Sequence, residues 1–229
     1  MVTLTDIELA MVERLRKGLG KLVTTVETYG GELDDEGLYQ VVQQMPACWV
    51  TFAGITKDDW TSTSQRKSQP EARFVVMVAA RSFRSEAASR HGGVNQWEIG
   101  ANQLVWAVRR LLIGQDLGLA IDAFKGVNVK TLFKTSLERQ QAMSVYAVEF
   151  STFWVEKHLE CGQFPSMPMK TITEHGQTVT VPDTDHPDYL FYQYEGQQSA
   201  APDLLGMNME VKQTQKTEAD LTAEVKTKD

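Results

Sequence analysis

The chain has 229 residues, of which 42% are hydrophobic and 23% are charged, values ordinary for a soluble globular protein. The formal net charge of −7 is uneven: residues 1–164 carry 18 basic and 19 acidic groups, whereas residues 165–229 carry 5 and 11. Because there is no dense Lys or Arg run, tight sequence-independent DNA binding is not expected, although passive contact with passing DNA stays open.

Two cysteines, Cys48 and Cys161, imply no disulfide framework and fit folding in a reducing cytoplasm. Cys48 lies in an apolar run and is interpreted as a buried hydrophobic residue. The N-terminus lacks the regions of a signal peptide, and the longest apolar run, residues 74–80, is too short to span a bilayer as a helix. We therefore expect a protein that is neither secreted nor embedded in a membrane.

The first predicted element is a helix. Thr5 and Glu8 have the spacing of a capping box, and Gly18 and Gly20 are expected to end the helix. Apolar residues at three- and four-residue steps predict its buried face: these are Leu4, Ile7, Met11, Leu15 and Leu19.

A strand over residues 23–29 and a short helix that ends at Pro46 follow. Strands are then predicted at residues 48–54 and 73–80; the second is apolar at nearly every position and should be central in its sheet. Between them, residues 57–71 are rich in Ser, Thr, Lys and Gln and predict an exposed, mobile loop.

A helix over residues 97–113 and strands over residues 127–133 and 143–155 complete this part of the chain. Together the elements predict an α/β (α+β) fold with a mixed β-sheet packed by helices.

The composition shifts near residue 160, which predicts a domain over residues 1–160 and an acidic extension over residues 161–229. Side chains of different polarity alternate along residues 170–181 on both sides of a turn, which predicts a β-hairpin. Two strands alone cannot bury a core, so this hairpin must lie on another domain or on a neighbouring subunit. Four aromatic residues follow in residues 189–194. The polar stretch from Glu195 onward predicts disorder, or order only on a partner.

No residue pattern predicts catalysis, a metal or a cofactor. Glu86 and His91, five residues apart, are the one acid/base pair considered, and a capped helix with charges on its solvated side is favoured over it. The His and Cys residues at positions 158, 161, 175 and 186 are too scattered for a structural zinc site.

Three arginines follow the apolar strand and enter a short Ala-rich helix. Arg81, Arg84 and Arg90, with Glu86 in the first helical turn, form either a solvated basic face or a subunit interface, because arginine makes forked bonds to carboxylates and stacks on aromatic rings. The residues alone leave both interpretations open.

Several segments occur in an order that is familiar: residues 84–90 (Arg-Ser-Glu-Ala-Ala-Ser-Arg), 100–104 (Gly-Ala-Asn-Gln-Leu), 112–119 (Leu-Ile-Gly-Gln-Asp-Leu-Gly-Leu), 129–133 (Val-Lys-Thr-Leu-Phe) and 144–150 (Ser-Val-Tyr-Ala-Val-Glu-Phe). In order and spacing they resemble the tail terminator (tail completion) family of Mu-like bacteriophages and prophages, over roughly residues 3–154.

The resemblance implies a tail-terminator-like, non-enzymatic subunit of a ring, commonly a hexamer, that caps the tail tube, stops its polymerisation and joins the tail to the head. It implies a virion protein at the neck, assembled in the host bacterial cytoplasm. Its partners would be the tail tube protein, the head-tail connector or neck proteins and, in a contractile tail, the sheath, with DNA only passing through the lumen.

The extension departs from the compact family pattern. We expect it to be an arm that contacts a neighbouring subunit or a neck or tail protein through its aromatic residues, Tyr189, Phe191 and Tyr192 among them. Two alternatives stay open: a head-completion or neck adaptor protein of the same virion, and a small cytosolic enzyme that uses Glu86 and His91.

Overall fold

The computed structural model describes residues 2–30, 44–61, 63, 66–81, 90–91, 99–132, 143–174, 177–199, 206–211 and 221–226. The chain divides into two compact units, Met1–His158 and Leu159–Asp229. In these described ranges, no helix is both long and apolar enough to cross a membrane.

A six-stranded mixed sheet forms the first unit, which confirms the predicted α+β class. The strands are β1 (Thr25–Thr28), β2 (Ala47–Trp60), β3 (Lys67–Arg81), β4 (Lys125–Thr131), β5 (Met143–Phe153) and β6 (Glu156–Lys157). Strand β1 is parallel to β2, and every other pair is antiparallel. The order is β1-β2-β3-β5-β4, and β6 pairs with the start of β3.

The prediction that residues 73–80 form a central strand is confirmed. Strand β3 pairs with β2 on one side and with β5 on the other, and residues 76–80 are all buried. A strand that is covered on both faces has no solvated side, so its sequence is apolar at successive positions.

Helix α1 (Leu4–Leu19) is capped by Thr3 and not, as predicted, by Thr5. The Thr3 hydroxyl accepts a hydrogen bond from the Asp6 amide (3.2 Å), and the Asp6 carboxylate accepts one from the Thr3 amide (2.9 Å). This pair has the same three-residue spacing as the predicted one, and Thr3 has the extended backbone that a capping residue needs. The capping prediction was therefore wrong by two residues.

The apolar face of α1 packs with helix α2 (Ala101–Leu112) against one face of the sheet. The helices come close at Gly18, where an added Cβ would lie 2.5 Å from a methyl carbon of Leu111. Arg14 Nε donates a hydrogen bond to the Leu111 carbonyl (2.6 Å) and fixes the same contact. Gly18 thus serves helix packing, and the predicted end of α1 falls at Gly20, whose φ is +49°.

Apolar residues cover both faces of the sheet, because successive residues of a strand point to opposite sides. On the helix-covered face, Phe124 makes edge-to-face contacts with Phe74 (6.1 Å between ring centroids) and Phe150 (6.3 Å). On the other face, a smaller cluster includes Trp49 and Met77. Both clusters are buried, so the described part of the first unit has a hydrophobic core of its own.

Residues 57–71 were predicted to be a mobile loop, and this prediction is wrong. Most of them form the paired ends of β2 and β3, where Lys57 lies opposite Glu71 and Trp60 opposite Ser68. Residues 55–60 of β2 are all exposed, so polar side chains face solvent there while backbone hydrogen bonds maintain the strand.

Strand β4 is an edge strand that is exposed along its whole length. The Leu132 amide donates to the Val145 carbonyl (3.0 Å), so by the alternation of an antiparallel ladder the Val129 amide points away from β5. The side-chain Oδ1 of Asn128 accepts a hydrogen bond from that amide (2.8 Å).

The second unit contains the predicted hairpin, which is confirmed as β7 (Met169–Glu174) and β8 (Gln177–Pro182). A short helix, α3 (Tyr189–Gln193), follows. Farther along, β9 (Gly206–Val211) and β10 (Leu221–Lys226) pair antiparallel in a stretch whose composition predicted no strands. The apolar residues there alternate with polar ones, which is a strand signal that overall composition hides.

Candidate assembly surfaces

The arginine-rich segment predicted as a subunit interface is described only at its ends. Arg81 is the last residue of β3, is partly buried and lies opposite Met143 in β5. Arg90 is exposed and helical. Arg84 and Glu86 lie outside the described residues, so an interface at this segment stays a prediction.

The aromatic residues predicted to mediate contacts by the extension lie on or beside α3. The rings of Tyr189 and Tyr192 are 5.7 Å apart, and Phe191 is 43% exposed. Tyr194, the fourth aromatic residue of this segment, is 73% exposed, and Leu190, which the sequence analysis did not single out, is 56% exposed. We call these five residues the α3 surface. So much exposed apolar area on one short segment is the usual mark of a contact site.

Polar contacts hold the second unit together. The Ser199 hydroxyl donates a hydrogen bond to the Phe164 carbonyl (2.5 Å) and accepts one from the Phe164 amide (3.0 Å). Lys170 Nζ lies 2.7 Å from Asp185 Oδ2 and 3.1 Å from Asp183 Oδ1. Hydrogen bonds to these carboxylates raise the pKa of Lys170, and the one from Lys170 lowers the pKa of Asp183.

Polar contacts and backbone pairing predominate in the described part of the second unit. Among residues 159–199 whose burial the structure describes, Pro165 is the one buried residue. Exposed ion pairs contribute little to stability, so the polar contacts in this segment supply only small energies. Its apolar side chains are therefore available to a partner.

Another apolar surface lies on the first unit, around the exposed side of α2. Trp106 is 69% exposed and Leu22 is 37% exposed. They border a shallow depression together with Ile99 and Ala107, and Asn102 and Gln103 complete its lining. We call these six residues the Trp106 patch.

The sequence analysis missed the Trp106 patch, although a signal was present. The residues that α2 buries include Ala101, Leu104 and Val108. Trp106 lies outside that stripe, two residues from Leu104 and from Val108, where a helix of a globular protein normally presents a polar side chain. A large aromatic residue outside the buried stripe therefore predicts a contact site, since tryptophan dominates the energetics of many interfaces.

The described residues that sequence analysis considered for chemistry lie at separate places. No three His, Cys, Asp or Glu side chains among them are grouped so that they could hold a metal ion. His91 Nδ1 lies 3.3 Å from the Asn102 side-chain nitrogen, while Glu86, its predicted acid/base partner, lies outside the described residues. Burial raises the pKa of the Cys48 thiol to about 12, which keeps the thiol protonated and unreactive at neutral pH.

Residues 3–155, more than half of the chain, match the protein family described as Bacteriophage Mu, Gp37. The chain belongs to this family. The resemblance to a Mu-like phage family is thereby confirmed, and the matched range takes in α1, α2 and strands β1 to β5. No curated protein matches the chain. As a Gp37-family member it is a bacteriophage protein, and the family favours a structural, virion-associated role over an enzymatic one.

Proposed function

We propose that this Gp37-family protein is a tail terminator, a non-enzymatic subunit of a ring that caps the tail tube, stops its polymerisation and joins the tail to the head connector. The observation that carries the proposal is the family match over residues 3–155. The segments between residues 84 and 150, whose order resembles tail terminators, favour the top of the tail over other places in the virion.

The distribution of apolar surface supports an assembly role. The first unit has a closed core, yet Trp106 lies exposed on it, and the second unit exposes the α3 surface. Isolated exposed apolar residues are common, but clustered ones on a soluble chain mark interaction sites. Each subunit therefore offers at least two surfaces that association would cover.

The charge distribution supports the proposed lumen. Residues 1–164 are close to neutral, with 18 basic and 19 acidic groups. A ring through which DNA travels must not bind phosphates tightly, because neutralised phosphates release counterions and hold the DNA. The proposed partners are accordingly proteins: the tail tube, the connector or neck proteins and, where the tail contracts, the sheath.

The arginine segment is proposed as part of the subunit boundary, with Arg81, Arg84 and Arg90 replaced by Ala as the test. Ring formation by the purified triple variant is the readout, and a loss of rings is expected. A matched control replaces Arg66 and Lys157, two exposed basic residues outside both proposed contacts, by Ala. If the triple variant forms rings and attaches tails as the wild type does, this boundary is abandoned.

Electron microscopy of phage particles made without this protein tests the whole proposal. A missing terminator leaves tube growth unchecked, so overlong or headless tails are expected. Supplying the gene in trans should restore tails of normal length with heads attached. Tails purified from an infection that makes no heads separate the two virion roles. A terminator stays on such tails, whereas a head-completion or neck adaptor protein is absent from them.

A further inference from the structure

In the first unit Trp106 is 69% exposed, and in the second unit Tyr194 is 73% exposed. Both the Trp106 patch and the α3 surface present apolar side chains to solvent. The patch is a depression with mostly apolar residues, and the α3 surface presents Leu190 and Tyr194 four residues apart. Apolar side chains at that spacing are how a short helix fits into an apolar groove.

The charges beside the two surfaces have opposite sign. Lys21 directly precedes Leu22, and Arg110 lies one helical turn beyond Trp106; both are exposed. The residues that line the Trp106 patch include no carboxylate among those described. Residues 170–199, by contrast, contain five acidic residues and one basic residue, Lys170. Lys170 pairs with Asp183 and Asp185. Asp188 and Glu195, which directly flank α3 and Tyr194, leave this segment net negative. Complementary charge speeds encounter and suppresses wrong partners.

From this complementarity we infer that the α3 surface of one copy docks on the Trp106 patch of the next copy. The inference rests on the proposed ring and names the contact that holds its subunits together. Each copy supplies one patch and one arm, so a head-to-tail contact of this kind pairs every surface once the ring closes.

Two full-length variants with different affinity tags test the contact. The patch variant carries Trp106→Ala, and the arm variant carries Leu190→Ser with Tyr194→Ser. Sedimentation velocity should show that each alone associates at least about tenfold more weakly than the wild type, as for truncated hot-spot residues. An equimolar mixture should recover one-to-one pairs, because an intact arm then meets an intact patch.

Control variants are Leu9→Ala on the first unit and Val179→Thr on the hairpin, both at exposed apolar positions outside the two surfaces. They should associate within about twofold of the wild type, since surface substitutions away from a contact have small effects. A charge-reversal variant, Lys21→Glu with Arg110→Glu, should slow association and weaken its dependence on salt. Thermal unfolding of each variant checks that the fold is kept.

Either variant associating as tightly as the wild type would overturn the docking, as would a mixture that yields no pairs. Rings that form from both variants overturn the docking but leave the terminator role standing. If wild-type rings depend on Trp106 yet phage without the protein make tails of normal length with heads attached, the contact stands and the terminator role falls.

Discussion

Removing the second unit should leave the first unit folded. The proposed perturbation is a chain that ends at Gln163, which lacks the hairpin, α3 and everything beyond. No removed residue whose burial the structure describes belongs to the buried hydrophobic core, the last described member of which is Trp154. The shortened chain therefore keeps the apolar burial that supplies most of the stability.

The magnitude follows from what is removed. Without loss of core, the free energy of unfolding should change by less than about 1 kcal/mol, as for substitutions away from buried features. The substitution Phe124→Ala in the full chain provides the comparison for a loss of core burial. Its ring is 1% exposed and contacts two other phenylalanine rings, so the substitution should cost about 3–5 kcal/mol in lost burial and cavity formation.

The wild type, the shortened chain and the Phe124→Ala variant are compared by urea denaturation, followed by circular dichroism at the lowest usable protein concentration. The measurement gives the change in free energy of unfolding for the truncation and for the substitution. Low concentration matters because association would add to the apparent stability of the full chain. A loss of more than about 2 kcal/mol in the shortened chain would refute the reasoning, since it exceeds what surface changes produce. So would a lower denaturant slope, which reports less surface exposed on unfolding of the core.

The remaining predictions concern single residues. Thr3→Ala should lower the free energy of unfolding by about 1 kcal/mol in urea denaturation, because it removes the cap of α1, whereas Thr5→Ala should change it by a few tenths; equal losses would contradict the capping by Thr3. Cys48 has a pKa raised by burial from 9.0 to about 12, so the unfolded chain releases its proton first as the pH rises. The stability that the buried neutral thiol contributes is complete below about pH 9, and above it the wild type should lose about 1.4 kcal/mol per pH unit relative to Cys48→Ala, up to about pH 12. If the free energy of unfolding changed equally with pH in the wild type and in Cys48→Ala, the thiol would ionise as readily in the folded as in the unfolded chain, which would contradict the prediction. At neutral pH a thiol reagent should label one cysteine of the native chain, the exposed Cys161, and both in urea.

The sequence predicted the elements whose burial imposes a period. The buried face of α1 repeats at helical spacing and β3 is apolar throughout, and both were found where expected. In each case one geometric requirement, contact with the core, acts on many successive residues.

The sequence failed where that requirement is missing. The outer ends of β2 and β3 are held by backbone pairing, which any side chain permits, so the polar composition of residues 57–71 suggested a loop. Trp106 was missed because the periodic pattern predicts only the buried stripe of α2, and Trp106 lies on the opposite side of the helix. The caps at Thr3 and Thr5 were indistinguishable by spacing, and only the backbone conformation decided between them.

The hydrogen bond between the Asn128 side chain and the Val129 amide affects how further copies of the chain can add at strand β4. An edge strand is a template on which identical chains can add without limit, because each added strand exposes a new edge. Here the outward Val129 amide is already satisfied by its neighbour's carboxamide, so an incoming strand must first break that bond. Fibre-like growth by strand addition is thereby disfavoured at this edge. In the proposed ring, association would then depend on side-chain surfaces, all of which are occupied when the ring closes.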